Sequence, residues 1–177
     1  MQKDHLILTA IGPDRLGLVL TLSDLISRHG CNIEDSKMAA FCGEFAVIIL
    51  ISGDSGNLQK IVHARSEIES ETALTITTKT PTPKKITEAF ILCKLTATCM
   101  DHPGVVHRIS TVLSGLGINI EAMETKTYSA PMSGTPLFQL EADIAVPLRR
   151  SINEVREALL EVQRDENIDV AINVMKN

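Results

Sequence analysis

The chain has 177 residues, of which 44% are hydrophobic and 22% are charged, with no Trp and a single Tyr. Its formal net charge of -5 weighs against a protein that binds nucleic acid by neutralising phosphates, which requires a clustered basic surface. No apolar run approaches the roughly 18 to 20 residues that span a bilayer, so we expect a cytoplasmic protein with no membrane contact. The four cysteines lack C-x-x-C spacing, and we expect them to be reduced residues in or near a core.

The sequence contains an internal repeat. Gly17 matches Gly104 at an offset of 104 - 17 = 87 residues, and roughly a dozen identities fall at this offset over about thirty positions. They include Leu8-Thr9-Ala10 with Leu95-Thr96-Ala97, and Asn32-Ile33-Glu34 with Asn119-Ile120-Glu121. We therefore predict domains at residues 1–80 and 88–177, joined by a proline-containing linker at residues 81–87.

The first copy has the pattern strand, helix, strand, strand, helix, strand. An apolar stripe at helical spacing predicts the first helix, and Gly30 then occupies the left-handed position that ends many helices. Strands are expected from Asn32, at residues 45–51 and at residues 73–79. The apolar positions are Leu18, Val19, Leu22, Leu25 and Ile26 in the first helix, and Leu58, Ile61, Val62 and Ile68 in the second.

The second copy repeats this order. Its first helix ends before Gly117, strands are expected from Asn119, at residues 137–146 and at residues 168–174, and Ser151 with Glu154 indicates a capping box. The stripe of its first helix comprises Val105, Val106, Ile109, Val112, Leu113 and Leu116. The predicted fold class is α+β: two tandem ferredoxin-like βαββαβ domains, each a four-stranded antiparallel sheet with two helices on one face.

The two sheets are expected to differ on the face that the helices leave open. In the second copy this face carries Gln139, Glu141 and Asp143, which can remain in contact with water. In the first copy it carries Ala46, Ile48 and Leu50, so we predict an interface there with another chain, another domain or a partner. The alternative is that loops or the linker cover it.

The turn from the first strand to the first helix carries an aspartate and a glycine in both copies, at Asp14 and Gly17 and at Asp101 and Gly104. We expect the aspartate to cap the helix, whose N-terminal amides could hold the carboxylate of an amino acid. The alternative is a tight, well-capped turn without a ligand. Asn32 and Asn119 could likewise bind a ligand through their amides or tie down the preceding loop.

A resemblance to a known family rests on three segments of the first copy. Gly12-Pro13-Asp14-Arg15-Leu16-Gly17, residues 30–39 and Gly43-Glu44-Phe45 are similar to the first ACT domain of the glycine cleavage system transcriptional repressor family. The second copy resembles ACT domains more generally, and the two-domain layout is similar over nearly the whole chain. Many members have Pro where this chain has Leu16, whereas Pro103 is present in the second copy.

The resemblance implies a regulator that binds a small amino acid, glycine or serine, at an interface between domains or subunits. It implies action through a transcriptional activator or another regulated protein, without direct contact to nucleic acid, and we expect a homo-oligomer, a dimer being the simplest form. The ligand-binding residues carried over are Asp14, Arg15, Leu16, Gly17, Asn32, Ile33, Asp101, His102, Gly104, Asn119 and Ile120.

Catalytic, metal and cofactor chemistry is not expected. The five histidines show no metal-ligand spacing, and no nucleophile elbow, P-loop or dinucleotide fingerprint is present. The segment 129–136 is longer than the corresponding turn of the first copy, and is a mobile hairpin or a flap over a pocket. Two other hypotheses stay open: a ligand-free scaffold that modulates a partner enzyme, and a small enzyme acting on amino acids.

Overall fold

The computed structural model describes residues 3–82 and 88–175. The chain divides into two compact units, residues 1–84 and 85–177, called here domain 1 and domain 2. Of the predicted linker, residues 83–87 lie outside the described residues.

Domain 1 is a four-stranded antiparallel sheet with two helices, and its strand order is β2-β3-β1-β4. Its elements are β1 (Asp4–Pro13), α1 (Leu18–Arg28), β2 (Asn32–Phe41), β3 (Glu44–Gly53), α2 (Ser55–Thr72) and β4 (Thr75–Lys79). This confirms the predicted βαββαβ order.

Domain 2 repeats the arrangement with the strand order β6-β7-β5-β8. Its elements are β5 (Phe90–Met100), α3 (Val105–Gly115), β6 (Asn119–Ser129), β7 (Pro136–Pro147), α4 (Ile152–Glu166) and β8 (Asp169–Val174). The α+β fold with two ferredoxin-like units is therefore as predicted.

Local sequence signals set the helix ends. Gly30 and Gly117 adopt left-handed backbone angles after α1 and α3, with φ of 69° and 71°, and so end these helices as expected. Ser151 and Glu154 form the predicted capping box at the start of α4. Each described helix has one apolar side, and the buried residues on that side pack against the sheet of the same domain.

Two residues of the predicted helix stripes do not pack in the core. Val19 and Val106 are exposed, because the residues just before them, Leu18 and Val105, face the core and one step along a helix turns the side chain by about 100°. Cys42 is also exposed, in the tight turn between β2 and β3, where it adopts a φ of 51°. It was expected in or near the core and is not.

Each domain has its own core of aliphatic side chains between helices and sheet. Within each domain, both described helices pack on the same face of the sheet. Among the described residues, no helix is both long enough and apolar enough to cross a membrane.

Candidate functional site

The strand-to-helix turn of domain 1 is fixed by the neighbouring hairpin. The Asp14 amide donates to the Gly43 carbonyl, with 2.8 Å between nitrogen and oxygen, and ties the end of β1 to the β2–β3 turn. In domain 2 the Asp101 amide donates to the Pro136 carbonyl at 3.0 Å. The repeated aspartate thus marks the same turn in both domains.

Neither aspartate caps a helix, contrary to the sequence prediction. The residues that precede α1 and α3 are Gly17 and Gly104, with φ of 94° and 104°, and no described side chain caps either helix. A left-handed residue at this position favours glycine because a Cβ would strain the backbone. The amides of the first helical turn are therefore not occupied by a side chain.

A cleft of about 410 Å³ opens at the start of α1. Its walls are mostly apolar, and Leu20, at 72%, and Met38, at 57%, are far more exposed than is usual for such side chains. The structure brings four predicted ligand residues, Asp14 to Gly17, to this cleft together with residues that sequence reasoning missed. The lining comprises Asp14, Arg15, Leu16, Gly17, Leu18, Val19, Leu20, Met38 and Phe45.

Arg15 and its repeat partner His102 point to the end of the second helix of their domains. Arg15 donates a hydrogen bond to the carbonyl of Thr72, the last residue of α2. His102 Nδ1 lies 3.9 Å from an oxygen of Glu166, the last residue of α4. A cation is favourable at a helix C-terminus, so Arg15 has a structural role there, and His102 occupies the corresponding position in domain 2.

The same turn in domain 2 has a more polar surface. Arg108 pairs with Glu166 at 2.7 Å, which joins the start of α3 to the end of α4. The repeat offset and the strand register show which residues of domain 2 are equivalent to the domain 1 cleft residues. At three of these positions an apolar residue of domain 1 is replaced by a less apolar or smaller one. The pairs are Leu16 with Pro103, Leu20 with His107 and Met38 with Thr125.

Asn32 and Ile33 lie at the other end of the sheet from Asp14. Asn32 is level with Ser52 and His5, whereas Asp14 follows Pro13 at the far end of β1. The nine residue steps from His5 to Asp14, at about 3.3 Å each, put the two ends about 30 Å apart. Asn119 and Ile120 are separated from Asp101, His102 and Gly104 in the same way. One domain therefore does not bring its predicted ligand residues into one site.

The repeated Asn-Ile-Glu segment forms a β-bulge in each domain. The strand register shifts between Ile33 and Asp35, and again between Ile120 and Ala122. Asn119 donates to Glu121 at 2.6 Å across the bulge. In domain 1 the Ser52 hydroxyl and the Asn32 amide donate to the Glu34 carboxylate and lower the pKa of Glu34. Both asparagine side chains therefore contact the bulge that follows them, whereas the alternative to ligand binding was that they tie down the preceding loop.

The described residues contain no group of three or more His, Cys, Asp or Glu side chains that could hold a metal ion. Burial raises the pKa of the Cys93 and Cys99 thiols, which disfavours the reactive thiolate. The segment 129–136 is a hairpin turn closed by the amide of Ala130, which donates to the Thr135 carbonyl at 2.9 Å.

Comparison with known proteins identifies the first domain. A family model described as ACT domain matches residues 4–79, which run from the first residue of β1 to the last residue of β4. Domain 1 therefore matches an ACT domain over the whole of its fold. The second has the same strand order and helix placement, so the chain has a two-domain ACT fold.

Several relatives match nearly the whole chain. The glycine cleavage system transcriptional repressor of Escherichia coli (strain K12) is 25% identical over 98% of this chain and 91% of the relative, as is that of Shigella flexneri. The crystal structure of an unknown protein from Galdieria sulphuraria is 27% identical, with a TM-score of 0.83 over 99% of this chain and all of that one. A crystal structure provisionally described as a glycine cleavage system transcriptional repressor is 22% identical and shows the same fold, with a TM-score of 0.72 over both full chains.

Some of the cleft residues outside the turn could have been recognised in the sequence. Leu18, Val19 and Leu20 are three consecutive apolar residues at a helix start, and a helix with one buried face needs only the first of them. Met38, on an edge strand, had no such signal.

Proposed function

We propose that this protein is an amino-acid-responsive regulator whose effector is glycine or serine and whose output is a change in affinity for a protein partner. The support is its likeness to the Escherichia coli glycine cleavage system transcriptional repressor over almost the full length of both chains. An ACT domain in the first half agrees with a regulatory rather than an enzymatic role. The partner is a transcriptional activator or another regulated protein, in the cytoplasm.

The observation that carries the proposal is the uncapped start of α1 in the domain 1 cleft. Amides of a first helical turn, together with the positive end of the helix dipole, favour a carboxylate. The walls formed by Val19, Leu20 and Met38 offer an apolar surface to the Cα of the ligand. Glycine and serine fit these features.

The cleft is open, and a second surface must complete it. Leu20 and Met38 are too exposed to enclose a ligand within one copy of the domain. Asn32 lies about 30 Å from Asp14 in one domain by strand geometry, so it cannot complete the cleft of its own domain. We therefore infer that the ligand binds at an interface in a homo-oligomer, and that binding there changes the assembly recognised by the partner.

Direct binding to nucleic acid is not part of the proposal. With a net charge of -5, the chain is not suited to the phosphate neutralisation on which such binding depends. Contact with a protein partner has no such requirement.

A ligand-free scaffold is the second candidate, and the open face of the domain 1 sheet favours it. Ile48 on this face is 47% exposed, and Ala46 and Leu50 beside it are partly exposed. Such a face can support association without any small molecule.

The two candidates are separated by calorimetric titration of the full chain with glycine, serine and the other common amino acids. We expect saturable binding of glycine or serine that Val19→Glu weakens by about tenfold or more, because its carboxylate competes at the helix start. A carboxylate in the first turn favours the helix, so this variant should remain folded.

The matched control is Val106→Glu, which places the same charge at the same position of α3. It should leave binding to the domain 1 cleft unchanged. Equal affinity in Val19→Glu and the unmodified chain would reject the cleft as the site. Absence of heat with every amino acid, together with unchanged melting temperatures, would favour the scaffold.

A further inference from the structure

The outer face of domain 1, defined as the side of its sheet opposite the helices, consists of rows that run across the strands in the order β2, β3, β1, β4. The strand register gives three complete rows. They are Asp35, Leu50, Ile7, Lys79; then Lys37, Ile48, Thr9, Thr77; then Ala39, Ala46, Ile11, Thr75. Phe41, Glu44 and Pro13 continue the pattern at the end.

Three large apolar side chains on this face, from its middle row to the end at Phe41, are exposed to solvent. Ile11 is 56%, Ile48 47% and Phe41 69% exposed. Contiguous apolar surface of this kind marks an interaction site.

Domain 2 shows that the fold does not need apolar residues on this face. Strand register places Gln139, Glu141 and Asp143 where domain 1 has Ala46, Ile48 and Leu50. The domain 2 core is nevertheless complete on the other side of the sheet. The apolar residues of domain 1 therefore serve contact with something outside the domain.

The positions of two opposite charges on the outer face indicate which kind of partner can bind there. Asp35 and Lys79 stand at opposite ends of the same row, one on each edge strand. Both are exposed. A two-fold axis that runs parallel to the strands exchanges the two edges of the sheet and keeps each row opposite itself.

We propose that the outer face of domain 1 packs face to face on the same face of a second copy of this chain, about a two-fold axis parallel to the strands. Asp35 then lies opposite the partner copy's Lys79, and the symmetric pair forms at the other edge. Leu50 lies opposite Ile7, and Ala46 opposite Ile11. Of the other charges, Lys37 and Glu44 lie opposite Thr77 and Pro13, and Glu34, which accepts from the Ser52 hydroxyl at the end of the face beyond Asp35, lies outside the three rows.

The other in-plane two-fold axis, perpendicular to the strands, does not match the charges. With that axis through the middle of the four rows, Asp35 would lie opposite Phe41, and the carboxylate would have no basic partner. Complementary charge pairs at the rim set the register of an interface. Self-complementarity of this kind is the property of a two-fold interface.

The proposal does not rest on amino-acid binding, because the outer face and the α1 cleft are on different sides of the sheet. The test is sedimentation velocity of the full chain over a range of micromolar concentrations, without added amino acid. We expect a dimer whose dissociation constant rises by about a hundredfold or more in Ile48→Glu, since that substitution buries a charge. Glu141 at the equivalent site indicates that a glutamate there leaves the sheet folded. The control Glu141→Lys, on the domain 2 face, should not change the dimer.

A charge exchange tests the axis. Asp35→Lys and Lys79→Asp should each weaken the dimer by about tenfold, because each places like charges opposite one another, and the double variant should restore it. A monomer at all concentrations, or a dimer that Ile48→Glu leaves intact, would overturn the proposal. Failure of the double variant to restore a dimer lost in the single variants would overturn the two-fold arrangement.

Discussion

At the scale of single residues, the Asn-Ile-Glu segment shows what a repeated motif can and cannot indicate. Its recurrence at Asn32 and Asn119 correctly marked the first residue of a strand in both domains. Its suggested role in binding a ligand depended on the assumption that the amides are available. The structure directs them to Glu34 and Glu121 across a bulge, and a bulge cannot be recognised from residue type alone.

The hydrogen bonds to Glu34 predict a pH-dependent contribution to stability. They hold the pKa of Glu34 in the folded state below its ordinary value of 4.5. The contribution is therefore fully present above the pKa of the unfolded chain, and is lost as the pH falls through the lower folded value. Glu34→Gln should lower the free energy of unfolding near neutral pH, and this difference should shrink in acid.

Urea unfolding of the unmodified chain and of Glu34→Gln, followed by circular dichroism from neutral pH to below pH 4, measures this difference. A difference that stays constant with pH would show that the hydrogen bonds do not stabilise the charged form. Since Glu34 is exposed, we expect the effect to be modest and to decrease with added salt.

At the scale of elements, the strand-to-helix turn is attached to the end of the second helix. Arg15 in domain 1 and His102 in domain 2 make this connection from the same position of the repeat. The sequence placed both residues in the turn, but the partner lies more than fifty positions away and could not be identified from local pattern.

Arg15→Ala is expected to destabilise domain 1 by about 0.5 to 1 kcal/mol, through loss of a hydrogen bond to the last turn of α2 and of a favourable charge there. Arg15→Lys should retain part of this, since it keeps the charge. Thermal unfolding followed by circular dichroism tests both variants. Unchanged stability in Arg15→Ala would argue against the structural role and would leave ligand contact as the reason for an arginine in the turn.

The two edge strands of each sheet differ in whether helix side chains bond their outward backbone groups. On β4 the Ile76 amide donates to Glu69 of α2, and on β8 the Val170 carbonyl accepts from Gln163 of α4. Arg156 donates to a second β8 carbonyl, that of Ile172. These contacts from the helices satisfy outward backbone groups that could otherwise pair with another strand. The exposed strand β2, which carries Met38 at the cleft, lies on the other edge.

At the scale of the whole molecule, the repeat was the most informative property of the sequence. Gly17 and Gly104 defined the offset, and helical stripes with their glycine stops gave the βαββαβ order in both halves. Successive side chains of a strand point to opposite faces of the sheet. The sequence alone therefore assigned the residues of β3 and β7 to the core face or the outer face. The fold class therefore followed from patterns that are local or repeated.

The candidate site did not follow in the same way. Asp14 and Asn32 are close in sequence and flank one helix, which suggested a common ligand. A helix that connects parallel strands returns the chain to the opposite end of the sheet, so their separation is a property of topology. Only the turn residues from Asp14 to Gly17 reach the cleft, and the apolar wall formed by Leu20 and Met38 requires the packed domain.

The most direct test of the account is a two-dimensional amide NMR titration of the full chain with glycine and with serine. We expect saturable shifts of the Leu18, Val19 and Leu20 amides, which face the cleft at the start of α1, and smaller shifts at the start of α3. Shifts confined to other regions would place the ligand elsewhere in the protein. A spectrum unchanged by either amino acid, at concentrations that saturate ordinary metabolite sensors, would contradict the proposal that these amino acids control this protein.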